Sequence, residues 1–243
     1  MKSCIVTIIF LILFKKIFAM EYQLSFNVNE KIYIRNPEGS ELGKQIVKNA
    51  IDLIYKLGYE HFTFKKLAIE IGTTEASIYR YFENKHRLLI YILNWYWSYL
   101  EFLVMFQLKN IDDPKVKLKT IVQLLTQKLP ENSGKLNYNT AFLAQIVIAE
   151  SSKVYLVKEV NEINQEQVFK PFKDLCNSIA EIIKEYAPNY PYPHSLSSTL
   201  METAHDQQFF ILNLPKLTDI SDQDDKAKYV AIYLDDLLFR VLG

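Results

Sequence analysis

Glycine is scarce in this chain, with 6 residues in 243, and proline contributes only 8. That supply of turn residues is too small for an all-β sandwich, and no glycine-rich phosphate loop can be assembled from it. Cysteine is limited to Cys4 and Cys176, neither in a C-x-x-C pair. A disulfide framework and a zinc or redox motif are therefore excluded, and a reducing cytoplasm suits the chain. Net charge is also absent, since 28 basic and 28 acidic residues cancel. The balance is uneven along the sequence: residues 1–39 and 40–90 each carry a net +2, and residues 91–243 carry −4. A polyanion would thus meet the N-terminal part. No Ser, Cys or Asp stands in a motif that pairs a nucleophile with a base, so an enzyme is not indicated. What is present is 49% hydrophobic and 23% charged residues, the mixture of a soluble globular protein with room for one large or two small domains.

The first residues need separate treatment. Cys4 to Phe14 is a mainly apolar run between Lys2 and the pair Lys15–Lys16. As a helix it would rise only about 16 Å, against roughly 30 Å of hydrocarbon, which argues against a membrane span. The lysine pair occupies the place where a small-residue cleavage site would follow a signal peptide. The reading adopted is that translation starts at Met20 and that residues 1–19 are an upstream extension; membrane attachment and a buried N-terminal helix are the alternatives. Residues 21–39 then form an arm ending in the turn cluster Asn36-Pro37-Glu38-Gly39.

From Ser40 onward the pattern is helical. Ile46, Val47, Ala50, Leu53, Ile54 and Leu57 recur at helical spacing and Gly58 follows them. Thr63 offers a cap to a second helix with Leu67, Ala68 and Ile71 inward, ending at Gly72. Thr74 caps a third helix that turns Ile78 and Phe82 inward. Two short helices joined at a glycine and backed by a supporting helix make a helix-turn-helix. A fourth helix, from Asn84 to about Lys109, is apolar or aromatic nearly all round and is therefore expected to be buried on all sides. Further helices are predicted over 114–128, 139–151, 153–186 with a kink at Pro171, 195–212 and 224–242. The fold class is all-α, with residues 1–39 as extension and arm, 40–89 as the helix-turn-helix domain and 90–243 as a second helical domain.

In a helix-turn-helix the second helix enters the major groove, so its outward face is where function should show. Thr74, Glu75, Ser77, Tyr79, Arg80 and Tyr81 are the candidates there. Arg80 can fork onto guanine N7 and O6 or onto phosphate, and the phenols of Tyr79 and Tyr81 suit phosphate. Lys65 and Lys66 near the start of the second helix, and Lys85 at the start of the fourth, oppose the helix dipole, which favours a phosphate partner. Residues 43–89 resemble the DNA-binding domain of the TetR/AcrR family of bacterial transcriptional regulators, through Ile46, Ala50, Leu53 and Gly58, then Phe62-Thr63, Leu67-Ala68, Ile71-Gly72-Thr73-Thr74, and Ile78-Tyr79-Arg80-Tyr81-Phe82 with Lys85 and Leu88. The resemblance implies base-edge contacts from Thr74 to Ser77 and from Arg80, and phosphate contacts from Thr63, Tyr79, Tyr81 and Lys85, with Lys65 able to do either. Glu75 departs from the family pattern; it either accepts from cytosine N4 or complements the helix N-terminus.

The resemblance further implies a homodimer on a near-palindromic double-stranded DNA operator, and a C-terminal domain that binds a small apolar effector and dimerises. Trp95, Tyr99 and Phe102 are the candidates to line the effector pocket. Phe209, Leu212, Val230, Leu234, Leu237, Leu238 and Val241 are the candidates for a four-helix dimer interface. Glu83-x-x-His86 and Glu202-x-x-His205 share a spacing used by di-iron bundles, but bridging glutamates cannot be assigned, so neither a metal nor another cofactor is expected. The expected function is a cytoplasmic, ligand-responsive transcriptional regulator, most simply a repressor, with a membrane unlikely as partner. The alternatives are a membrane-associated helical sensor or scaffold, and a helical small-molecule-binding protein without DNA recognition.

Overall fold

The computed structural model describes residues 26–127, 129, 138–158, 160–221 and 225–243, and among them there are helices and no strand. The leading segment 1–19 and the predicted helix boundaries at Lys128 and Asp224 lie outside the described residues. Side chains with an oxygen one or two bonds from Cβ set the helix starts. Ser40 opens α1 (Glu41–Leu57), Thr63 opens α2 (Phe64–Glu70), Thr74 opens α3 (Glu75–Tyr79) and Asn84 opens α4 (Lys85–Leu108), each accepting from the backbone N–H three residues on. Between α2 and α3 the chain reverses through Gly72 at φ 67°, a conformation that costs a side chain but not glycine. Gly43 is required by contact: a Cβ there would stand 2.2 Å from the carbonyl oxygen of Pro37, so the arm lies directly on α1.

The remaining helices are α5 (Pro114–Thr126), α6 (Thr140–Glu150), α7 (Ser152–Tyr155), α8 (Val160–Gln165), α9 (Lys170–Tyr186), α10 (Pro193–Asn213) and α11 (Lys226–Leu242). α4 and α5 pack against α9, α10 packs against α9 and α11, and α6 joins the bundle to α1. The single helix predicted over 153–186 is a correction: it is three helices, α7, α8 and α9. Pro171 sits in the first turn of α9, where its missing N–H costs nothing, so it starts a helix and does not kink one. The break before it is marked by Gln167 at φ 57°. α4 is long and apolar enough to cross a bilayer, yet Leu88 to Trp97 is buried without interruption, which makes it the central helix of the bundle. One continuous apolar core runs from Ile46 and Phe82 through α4 to Leu238.

Candidate nucleic-acid interface and the adjoining cavity

The short helix α3 owes its orientation to Ile78, which is fully buried, and to Tyr79, whose ring stands edge-on to Phe64 at 5.0 Å. Its first turn is fixed by Thr74, whose Oγ1 accepts from the Ser77 N–H at 3.3 Å and lies 3.0 Å from the Ser77 hydroxyl. This leaves Thr74, Glu75, Tyr79 and Arg80 exposed and Ser77 partly so. On α2, Thr63, Lys65 and Lys66 are exposed, although the Lys66 ammonium donates to the His61 carbonyl at 2.8 Å. Among the described residues no ion pair engages Lys65 or Arg80, so both cations face solvent uncommitted.

Two expected contacts are corrected. Tyr81 is 2% exposed: its hydroxyl meets Ser40 Oγ at 2.8 Å, its carbonyl accepts from the Ile34 N–H at 2.8 Å, and the Arg35 guanidinium lies over its ring. It therefore faces the arm and not a groove. The spacing held the clue, because Tyr81 falls three residues after Ile78 and beside Phe82, on the inward side of the same turn. Lys85 is also committed. Its Nζ donates to the carbonyls of Tyr59 at 3.1 Å, Glu60 at 3.4 Å and Phe62 at 3.5 Å, and lies 4.4 Å from the Tyr59 ring centroid. The lysine ties the start of α4 to the loop between α1 and α2. Burial pushes the Tyr59 phenol up to about 12, so it stays neutral beneath that ammonium.

The expected pocket residues are corrected as well. Trp95 and Tyr99 are buried in a packed aromatic cluster with Phe26 of the arm, and Trp95 also meets Tyr138 edge-on at 5.1 Å. Phe102 stacks on Phe106 and touches Phe26. None of the three lines the cavity found on the other side of the helix. A mainly apolar cavity lies on another face of α4: about 290 Å³, walled by Leu93, Asn94 and Trp97 of α4, Tyr155 of α7, Asn161 of α8 and Phe172 of α9, among others. Its polar groups are Asn94, Tyr155, Asn161, Asn164 and Lys173, of which the last two are hydrogen-bonded to each other. The Tyr155 hydroxyl donates to the Glu202 carboxylate at 2.9 Å. Burial pushes that carboxyl above the usual range. Behind Trp97, at 5.2 Å between ring centroids, lies His205, which is buried with neither ring nitrogen hydrogen-bonded. Desolvation lowers its pKa to about 4. Glu83 and His86, the other pair at that spacing, are at the start of α4, where His86 Nε2 is 3.3 Å from the Lys153 carbonyl. Among the described residues no group of three or more metal-ligating side chains gathers.

The expected dimer face divides in two. Val230, Leu234 and Leu238 are fully buried in the protomer's own core, so they are corrected out of an interface. Leu212 and Val241 are half exposed, and Phe209 and Leu237 are partly buried. The sequence merges two neighbouring stripes of α11: one at 230, 234 and 238 turned inward, the other at 233, 237 and 241 turned outward, with Tyr233 missed.

The family model for bacterial regulatory proteins of the tetR family matches residues 46–92, the span from α1 into α4. No curated protein matches the chain in sequence. Solved structures match it in fold. A transcriptional regulator from Rhodococcus sp. Rha1 superposes with a TM-score of 0.59 at 15% identity, covering 86% of this chain and 96% of its own. The regulator FadR of Bacillus subtilis, in complex with stearoyl-CoA, gives 0.56 at 20% identity over 82% of this chain and 98% of its own. AibR, in complex with isovaleryl coenzyme A and operator DNA, gives 0.54 at 17% identity over 81% of this chain and 98% of its own. These structures share the fold over more than four fifths of the chain, and the helix-turn-helix domain supplies the match to the family model. Residues 46–92 thus match the model of the tetR family of bacterial regulatory proteins, and the chain shares the fold of solved regulators.

Proposed function

We propose that the chain is a ligand-responsive, sequence-specific DNA-binding repressor that acts as a homodimer in the cytoplasm. The observation that carries this reading is the exposed edge of α3, where Thr74, Glu75, Tyr79 and Arg80 face solvent on a helix whose start and inward side are both fixed. A pre-set helix with an uncommitted guanidinium suits base-edge reading, and the free Lys65 suits phosphate. The half-exposed Leu212, Tyr233 and Val241, with the partly buried Leu237, provide an apolar strip for a second copy, and a two-fold protein reads two half-sites. The cavity, at the small end of the range for ligand sites, suits a compact effector with an apolar body and a polar head near Asn94 and Lys173. The acyl-CoA ligands of AibR and FadR likewise join an apolar chain to a polar head, which supports that chemistry, although a whole acyl-CoA is larger than this cavity.

Genomic binding-site selection with the purified protein tests the reading. One near-palindromic motif is expected, and its affinity should fall with added salt as phosphate contacts require. Arg80→Ala should lower affinity for that motif by about tenfold or more while leaving the fold and the dimer intact. Recovery of no motif by folded protein, or full affinity in Arg80→Ala, would overturn it.

A further inference from the structure

The cavity has a wall that the rest of the bundle does not share. Its far side is built from the two short helices α7 and α8, which contribute Val154, Tyr155, Val160, Asn161 and Asn164. They are short segments between α6 and α9, and the chain around them is held by polar ties to the DNA-reading domain. Three of these ties are direct. Lys153, immediately before the cavity-wall residues Val154 and Tyr155, donates to Glu60 Oε1 at 2.8 Å in the loop that leads to α2, and its own carbonyl lies 3.3 Å from His86 Nε2 in the first turn of α4. Glu166, immediately after α8, receives the Arg87 guanidinium at 2.8 Å, again in the first turn of α4. Its backbone carbonyl accepts from Asn29 Nδ2 at 2.7 Å. Asn29 belongs to the arm that continues to Ile34 and Arg35, both of which hold Tyr81 just beyond α3.

Glu166 is therefore placed where the moving wall of a ligand site would meet both supports of α3, the start of α4 and the arm. The pair is partly shielded from solvent, with side-chain exposures of 21% for Arg87 and 34% for Glu166, and among the described residues the other carboxylate near Arg87 is Glu83, at 4.0 Å. We infer that Glu166 is a positioning residue for DNA reading: it transmits the state of the cavity, through Arg87 and Asn29, to the helix-turn-helix domain. This rests on the reading of the cavity as a regulatory site. A ligand that prefers one arrangement of α8 then shifts the population of DNA-competent protein by its difference in affinity for the two arrangements.

The test needs no identified effector, because a larger side chain can occupy the cavity in its place. Val160→Trp fills it from α8 and Val154→Phe fills it from α7. The readout is the ratio of operator Kd with and without the filling substitution, measured with Glu166 intact and in a Glu166→Gln background. With Glu166 intact the ratio should be about tenfold or more. In Glu166→Gln it should fall to about twofold or less, and Arg87→Ala should give the same collapse with no further change in the double variant. A merely structural Glu166 would shift Kd or Tm equally in filled and unfilled protein and leave the ratio unchanged, and that result would overturn the inference. No effect of either filling substitution on operator affinity in the protein with Glu166 intact would instead overturn the regulatory reading of the cavity. Melting curves identify any filling variant that fails to fold, in which case the other one decides.

Discussion

Two faces of α4 carry the same kind of residue and do opposite things. Tyr91, Trp95, Tyr99 and Phe102 follow one another at helical spacing along one face, and there every ring is met by another: Phe26 from the arm, Tyr138 from the segment before α6, and Tyr33 beside Tyr91. Leu93, Asn94 and Trp97 mark a second face, where Phe172 and His205 cover only part of the surface and a cavity of about 290 Å³ remains. Aromatic content does not distinguish the faces. What distinguishes them is the supply of partners, because the arm and Tyr138 deliver rings around Trp95 and Tyr99 and leave only a polar recess of about 230 Å³ beside Tyr91 and Tyr33, whereas the short helices α7 and α8 leave an apolar cavity on the other side. A filled face sets stability and an unfilled one leaves room for a ligand.

The largest effect should come from breaking the filled face. Trp95 is among the largest fully buried side chains, and its neighbours Phe26, Tyr99 and Tyr138 are held by their own contacts and can collapse only in part. Trp95→Ala should cost about 3–5 kcal/mol of unfolding free energy, read from urea denaturation. A loss below about 1 kcal/mol would show that the cluster is loosely packed and that the comparison fails.

A second, smaller effect lies behind the unfilled face. His205 is fully buried and neutral, with a folded pKa of about 4 against 6.5 for the free side chain. Between those values the unfolded chain takes up a proton that the folded chain refuses. Stability contributed by this site is therefore complete above pH 6.5 and is lost as the pH falls towards 4, by roughly 3 kcal/mol in all. Glu202 and Glu101 titrate above their usual values and oppose this trend, so the comparison must be with a variant and not with the bare pH profile. His205→Leu should lose less stability between pH 7 and pH 4.5 than the parent protein does, with a constant offset between the two above pH 7. Parallel profiles for the two proteins would mean that the imidazole finds a partner on protonation.

How much of this was legible in the sequence depends on whether the deciding interaction was local. The helix-turn-helix could be read because Ser40, Thr63, Thr74 and Asn84 each bond to a backbone N–H three residues on, and Gly72 turns the chain by its own conformation. These interactions sit within one turn of sequence. Tyr81 and Lys85 were misread because their partners, Ser40 and the carbonyls of residues 59–62, lie 23 to 41 residues away. The break between α7 and α9 is not visible in the sequence because apolar residues on both sides keep a helical period across it; among the described residues it is made by Leu156 at ψ 48° and by Gln167 at φ 57°. The same limit applied to α11, where adjacent stripes at 230–234–238 and 233–237–241 differ by one position and only the packing shows which one turns inward.

The two tryptophans give the smallest and sharpest test of the comparison. Trp95 and Trp97 are separated by two positions on the same helix and are almost equally hidden, at 1% and 4% exposure, so burial alone predicts equal importance. Their surroundings predict otherwise. Trp97 has Tyr96, Phe172 and His205 around part of its ring and the cavity at the rest, so shrinking it enlarges existing space and strips few well-made contacts. Trp97→Phe should cost about 1–2 kcal/mol, clearly less than truncation of Trp95, while changing which molecules the cavity accepts. Isovaleryl-CoA and stearoyl-CoA, titrated against parent and variant by calorimetry, provide the measurement. A change in the relative affinity for the two acyl lengths, with little loss of stability, would show that the unfilled face is selected for its shape. Unchanged acyl preference in a variant that does bind would separate Trp97 from the ligand and return it to the core.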